Sequence, residues 1–391
     1  MDKLQKDILK VIKGAITGAA ETLSPDFSLE EAAKIASRHQ IMPIFYYGAS
    51  ACGFSKDHPF MQQLFLHICK DIAVSTQQNY SLGSLFSAFD KEKIDYMPLK
   101  GTLLKKLYPK AEMRLMGDAD ILIKPEQYDK IAPIMESLNY SLDVESDHEI
   151  VWKKPMVYIE LHKRLIPSYN KDYYSYFGDG WRLAKLCEGT RFSMTDEDQM
   201  IYLLTHFAKH YRDSGIGIKH MLDLWIFRNS RAQLDEDYIA EEFKKLRLFE
   251  FYQNIVDTLK VWFEDGEPND RTELISSVIF NSGVYGTYEA SLLSEAFKKT
   301  KFEDESGAFR KKKLFRAIFL PYKNMCEKYP FLEKAAVLLP VMWVVRIVGV
   351  VLFKRETIVK HTEDYKTTSS EQIADYGNAL NFVGLDFNFK E

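Results

Sequence analysis

The chain lacks most of the signatures that give a function away. Its 391 residues contain four cysteines, Cys52, Cys69, Cys187 and Cys326, widely scattered and without a Cys-x-x-Cys pair. That usage excludes a zinc ribbon, supplies no disulfide framework, and sets a reducing, cytoplasmic location as the expectation. No Walker A sequence and no Gly-x-Gly-x-x-Gly fingerprint occur, which removes the P-loop and dinucleotide-fold readings. No Gly-x-Ser-x-Gly occurs either, so a serine-hydrolase elbow is excluded. Charge of one sign is also missing: 52 basic against 56 acidic residues leave a net charge of −4. Without a basic excess, the electrostatic footprint expected for nucleic acid is absent, and nucleic acid is not the expected partner. Repeats and low-complexity tracts are absent. The first residues, MDKLQKDILKVIKGAITGAAETL, interleave charge with apolar positions and form no signal-peptide core.

What is present suits a globular protein of two or three domains: 46% hydrophobic and 14% aromatic residues, with 22 Tyr and 26 Phe. Residues 1–80 read as an N-terminal helical region. Leu4, Ile8, Val11, Ile12, Ala15 and Ile16 recur at helical spacing, as do Leu64, Ile68 and Ile72, and Ser28 with Glu31 is a capping-box pattern. His39 and His67 read as ordinary helix-face histidines.

The pattern changes over 81–192, the expected catalytic core. A helix over 81–92 leads to a strand over Ile94–Leu99, whose Pro98 belongs at a strand end. Lys100-Gly101-Thr102 then turns into a short helix stopped by Pro109. A glycine turn feeding a helix start offers free N–H groups to a phosphate, and Lys100 adds charge beside it. Asp118–Ile123 reads as a strand on which Asp118 and Asp120 share a face, roughly 6.5–7 Å apart. Carboxylates so close repel unless a cation lies between them, and hard divalent ions take such ligands together with substrate phosphates. Pro125 opens a helix in which Pro133 predicts a kink. Residues 148–162 read as two strands turning at Lys153-Lys154-Pro155. In the second, Glu160 shares a face with Tyr158 and His162, and so offers a third carboxylate.

Residues 193–300 read as a helical domain. Thr195 caps a helix on which His206 and His210 lie four apart; Phe207 stands where a zinc-protease helix has Glu, so that reading fails. His206 and His210, and His220 beyond Lys219, either line the mouth of a site or pack. Residues 301–391 form a C-terminal helical region. Lys298–Lys313 is a charge-rich linker or exposed loop, and residues 335–353 are apolar apart from Arg346. Those 19 residues just reach bilayer length, but a central Arg is costly there. Peripheral membrane contact and a buried or partner-facing helix are the alternatives. The aromatic tail with Phe382, Phe387 and Phe389 is expected to dock.

Taken together, Lys100-Gly101, Tyr108-Pro109, Arg114-Leu-Met-Gly-Asp118-Ala-Asp120-Ile-Leu-Ile123 and Ile159-Glu160-Leu161-His162 resemble the uncharacterised nucleotidyltransferase family of bacteria. That family is similar to the DNA polymerase β-like nucleotidyltransferases, which include aminoglycoside nucleotidyltransferases. The resemblance spans roughly residues 90–230. It implies an α+β fold, a mixed β-sheet core flanked by helical regions, and a two-metal transfer of a nucleoside monophosphate from an NTP donor to an acceptor hydroxyl. Asp118, Asp120 and Glu160 would then hold Mg²⁺ or Mn²⁺, with Glu160 helping to activate the hydroxyl. Gly101 and Thr102 would cradle the nucleotide phosphates, Lys100 and Arg114 would contact them, and His162, His206 and His210 would line the site. The turn is Gly-Thr where the superfamily commonly has Gly-Ser or Gly-Gly. The acceptor is not readable from the residues.

Two rivals stand beside this reading. A metal-dependent glycosyltransferase also uses Asp-x-Asp, but needs an α/β nucleotide domain ahead of it, where residues 1–80 read helical. A non-catalytic scaffold of the same fold is the other, which retention of all three carboxylates disfavours.

Overall fold

The computed structural model describes residues 1–168, 170–231, 233–302, 322, 325–326, 329–333, 335–345 and 369–385. The chain divides into a large unit, Met1–Thr287 with Leu380–Glu391, and a smaller one, Tyr288–Ala379.

The large unit begins with α1 (Lys3–Thr17), α2 (Leu29–Arg38), α3 (Met42–Ala51) and α4 (Pro59–Lys91). Each start has a local cause. Asp2 and Gln5 form a reciprocal capping box at α1, Ser28 accepts from the Glu31 N–H at α2, and Pro43 and Pro59 occupy first-turn positions of α3 and α4. The helix α4 runs unbroken through residues 80 and 81. Its first half packs Met61, Leu64 and Ile68 inward, and its second half turns Leu82, Leu85 and Phe89 onto the sheet.

That sheet has seven strands: β1 (Tyr96–Pro98), β2 (Ala119–Ile123), β3 (Ser141–Glu145), β4 (Glu149–Lys154), β5 (Val157–His162), β6 (Lys185–Glu188) and β7 (Arg191–Ser193). Their order is β3-β4-β5-β2-β1-β7-β6. Pairing is mixed: β2 runs parallel to β5 and antiparallel to β1, while β4 runs antiparallel to β5. Because side chains alternate, Ala119, Ile121 and Ile123 face the same way as Val157, Ile159 and Leu161, into the core shared with α4 and with α6 (Ile131–Ser137). Asp120, Leu122, Glu160 and His162 therefore share the opposite face. The helix α5 (Lys100–Leu104) follows β1, and α7 (Lys171–Phe177) follows β5.

Three expectations are corrected here. Asp118 lies one residue ahead of β2 and not on it. Pro133 does not kink a helix: a 3₁₀ stretch, Pro125–Lys130, precedes α6, so Pro133 falls in the first turn of a helix starting at Ile131, where its missing N–H has no partner to lose. The edge strands β3 and β6, and β7 between β6 and β1, are additional to the strands read from sequence.

Beyond the sheet come α8 (Asp196–Asp213), α9 (Ile218–Asn229), α10 (Glu236–Lys245), α11 (Phe249–Phe263) and α12 (Asp270–Asn281). Thr195 caps α8 by accepting from the Asp198 N–H. The start of α9 is capped from afar, the Ile218 N–H donating to His39 Nδ1 at 3.2 Å. His39 is accordingly fully buried, and burial, with Arg38 nearby, lowers its pKa to about 4, which keeps Nδ1 free to accept. Near the chain end, Val383 and Leu385 are buried and the Val383 carbonyl accepts from Asn254 Nδ2 at 3.1 Å, while Phe382 stays exposed. Phe387 and Phe389 lie outside the described residues.

In the smaller unit, α13 (Tyr288–Phe302) and α14 (Ser370–Phe382) meet where Phe297 packs edge-on to Tyr376. Residues 298–302 of the expected linker are helical, and 303–313 lie outside the described residues. Of the apolar stretch 335–353, residues 346–353 also lie outside; among the described residues no helix is long and apolar enough to cross a membrane.

Candidate active site

The polar face of β2 and β5 opens into a cavity of about 520 Å³. Parallel pairing sets Asp120 opposite Glu160 and Leu122 opposite His162. Asp118, at the mouth of β2, completes a group of three carboxyls on this wall, with Glu149 and His148 beside them. The helices add basic side chains to the lining: Lys209, His206 and His210 from α8, and Lys219 and His220 from α9, all lowered in pKa by burial.

Lys100 reaches Asp120 from the turn after β1. Its backbone is held at φ 42, a left-handed conformation that costs a non-glycine residue roughly 1–3 kcal/mol and persists only where the surroundings enforce it. Its Nζ lies 2.7 Å from Asp120 Oδ1, and His162 Nε2 lies 2.8 Å from the same oxygen. His162 Nε2 is also 3.5 Å from Glu160 Oε2. Burial works to protonate Asp120, but Lys100 and His162 overcome it and hold the carboxyl well below its usual range. Asp118 makes no ion pair among the described residues, and the pull of Lys100 does not prevail there. Burial, then the charges of Asp120 and Glu160, raise it to about 7, and its carboxyl hydrogen-bonds Glu160. His162 is raised despite burial, by Asp120 and Glu160. The group therefore carries more negative charge than Lys100 and His162 offset.

The run presenting Asp118 is fixed through its carbonyls. Leu115 O accepts from Arg114 Nη1 at 2.6 Å and Lys219 Nζ at 3.5 Å, and Met116 O accepts from Gln78 Nε2 of α4 at 3.0 Å. Arg114 is expected from sequence at the phosphates; the structure turns it to Asp223 of α9, with Nε to Oδ1 and Nη2 to Oδ2 both at 2.7 Å. Tyr108 donates to the same carboxylate at 2.8 Å. Arg114 is thus a brace between the Asp118 loop and α9. Gly101 packs closely beside it: a Cβ there would lie 3.0 Å from the Met116 side chain, which would have to give by a few tenths of an ångström.

Of the sequence-derived residues, Lys100, Gly101, Arg114, Asp118, Asp120, Glu160, His162, His206 and His210 all line the cavity. Thr102 does not line it; its hydroxyl is buried without a hydrogen-bond partner among the described residues. His206 and His210 touch, Nε2 to Nε2 at 3.1 Å, and burial holds both below the ordinary imidazole value, His210 at about 4. Sequence reasoning passed over His148, Glu149 and Lys209, which sit in no motif. Tyr285 also lines the mouth, its hydroxyl accepting from Gln40 Nε2 at 3.2 Å.

Asp118, Asp120 and Glu160 are hard oxygen donors, which suits a divalent ion; the group whose ligand atoms already lie within 4.8 Å of one another is Asp120, Glu160 and His162, and Asp118 stands outside it. No curated protein and no solved structure matches the chain. A family model does, over residues 25–264, taking in the N-terminal helices from α2 onward, the whole sheet and α8 to α11. The chain belongs to the uncharacterised nucleotidyltransferase family.

Proposed function

We propose that the protein transfers a nucleoside monophosphate from an NTP to a hydroxyl group of a small-molecule or macromolecular acceptor. The observation that carries this reading is one cavity lined both by the carboxyls of the sheet and by Lys209, Lys219 and three histidines of α8 and α9. A metal-bound triphosphate needs both sides: oxygen ligands for the ion and cations for the phosphates. Asp118, Asp120 and Glu160 would hold Mg²⁺ or Mn²⁺, and an ion there would neutralise charge on the phosphates and lower the pKa of the attacking hydroxyl.

The chain's own part follows from geometry. The acceptor oxygen attacks the α-phosphorus, the bond to the bridging oxygen of the β-phosphate breaks, and pyrophosphate leaves. Glu160, at the cavity and only partly buried, takes the hydroxyl proton. Lys100 holds Asp120 ionised and in position. Lys209 and Lys219 line the cavity from α8 and α9 and would meet the leaving phosphates, whose charge would restore the protonated form that burial disfavours. No nucleophilic side chain is required, since such transfer is largely positioning and charge neutralisation.

Isothermal titration with each nucleoside triphosphate, with and without Mg²⁺, tests the reading beside Asp118→Asn and Asp120→Asn. The expected result is Mg²⁺-dependent binding of a triphosphate that both variants lose while remaining folded. Binding that ignores Mg²⁺, or binding of a sugar nucleotide alone, overturns it, the second in favour of a glycosyltransferase.

A further inference from the structure

We propose that His148, Glu149 and His162 form a site for a borderline transition-metal ion such as Zn²⁺, separate from the carboxyl group of Asp118, Asp120 and Glu160. The three side chains each bring a ligand atom within 4.8 Å of the others. Glu149 Oε2 lies 3.9 Å from His162 Nδ1 and 3.9 Å from His148 Nε2. Donors around a tetrahedral ion with bonds of ~2.0–2.1 Å stand about 3.3 Å apart, so each of the two contacts to Glu149 closes by about 0.6 Å.

The backbone already aligns the group. The strand β4 pairs antiparallel with β5 so that Glu149 stands directly opposite His162, and His148 immediately precedes Glu149. The two imidazoles meet edge to face with centroids 5.1 Å apart. All three line the cavity, so a bound ion would keep open positions facing it.

The independent observation is His162 itself. Its side chain is 3% exposed, and its Nδ1 is buried with no hydrogen-bond partner among the described residues. An orphaned buried ring nitrogen is costly unless something takes its lone pair or its proton. The other nitrogen, Nε2, is satisfied by Asp120 Oδ1 at 2.8 Å. A metal-ligating histidine almost always donates its second N–H to a carboxylate, and His162 already has that arrangement, with Nδ1 left for the ion. Two imidazoles and one carboxylate suit zinc, whereas the neighbouring all-carboxylate group suits magnesium or manganese. The two sites therefore differ in chemistry while sharing one hydrogen bond, so an ion at His162 fixes the tautomer that donates to Asp120. Lys209 lies in electrostatic reach of both His148 and Glu149 and opposes binding.

The test does not depend on nucleotidyl transfer. Tag-free protein is stripped with a chelator, dialysed against Zn²⁺ with Mg²⁺ in large excess, and assayed for metal per chain. Co²⁺ is then titrated by its visible absorption. One Zn²⁺ per chain is expected in the wild type and in Asp118→Asn. At least a 100-fold loss of affinity is expected in His148→Ala and in the shape-preserving Glu149→Gln, and a gain of roughly tenfold in Lys209→Met. The proposal is overturned if no Zn²⁺ is retained, if Glu149→Gln binds like the wild type, or if Asp118→Asn abolishes binding. Loss in His206→Ala with Glu149→Gln unaffected also overturns it, because the contacting histidines of α8 would then hold the ion.

Discussion

Replacing Asp223 by Ala removes the partner of a guanidinium that is almost fully buried. The two side chains are 7% and 6% exposed, and the carboxylate takes two bonds from Arg114 at 2.7 Å and one from the Tyr108 hydroxyl at 2.8 Å. In Asp223→Ala, Arg114 keeps only the Leu115 carbonyl among these partners, and the Tyr108 hydroxyl is left bare. Breaking a buried pair on one side costs about 3–5 kcal/mol, because the remaining charge is uncompensated. At about 2 °C per kcal/mol for a unit of this size, the melting temperature should fall by about 6–10 °C. Calorimetry on metal-free protein measures this without involving the ion sites. The double variant Arg114→Met/Asp223→Leu removes both charges of the pair and should recover most of the loss, and the cycle completed with Arg114→Met and Asp223→Leu alone should give a coupling energy of about 2 kcal/mol or more. A fall of less than 2 °C in the single variant, or a double variant no more stable than the single, would refute the reasoning and mean that solvent reaches Arg114.

Two further predictions rest on single buried groups. Lys219 is 6% exposed, and among the described residues it donates to uncharged acceptors, Gln40 Oε1 and the Leu115 carbonyl. Burial, then Arg114, lowers its pKa to about 7, against the opposing pull of Asp223 and Asp118. Between pH 7 and about 10 the unfolded chain therefore binds one more proton at this position than the folded chain, so Lys219 makes stability rise with pH, by up to about 1.4 kcal/mol per unit. Lys219→Met should flatten that rise in urea titrations compared across pH; parallel curves for the two proteins would exclude a lowered pKa. At Gly48, a Cβ would sit 1.9 Å from the Val11 carbonyl oxygen of α1, a backbone atom that cannot swing aside. Gly48→Ala should cost about 3 kcal/mol or more, read from the urea midpoint, and a neutral effect would mean α1 and α3 are not in this contact.

The parts of the molecule legible in sequence are those whose physics is local. Periodicity marks the helices of both flanks, Ser28 and Thr195 announce their caps, and the apolar faces of β2 and β5 are written in every second residue. The strands β3 and β6 are exposed along their whole length, so they carry no one-sided pattern for a sequence reading to find. Pro133 misleads because the rule against proline holds inside a helix, and only tertiary packing decides that this helix starts two residues earlier. The pairing of Arg114 is hidden for a different reason. Its partner lies 109 residues away on α9, and no spacing announces a pair formed by folding. His148 and Glu149 owe their position to strand register alone.

The same distinction explains why the helical wall belongs to the site. A sheet can bring Asp118, Asp120 and Glu160 together, yet the result is a carboxyl pushed to about 7 by its neighbours. Only Lys100, strained into place, and His162 answer that charge from within the core. The remaining cations come from α8 and α9, and α9 is positioned by Asp223 on Arg114 and by His39 at its first turn. His39 belongs to the N-terminal helices and Arg114 to the Asp118 loop. The flanking helices are therefore components of one charge-balanced cavity, consistent with a family match that begins at residue 25 and runs to residue 264, well beyond the sheet on both sides. An isolated sheet core would keep the three carboxyls and lose the cations that face them, and on these grounds it should bind a divalent ion without retaining a triphosphate.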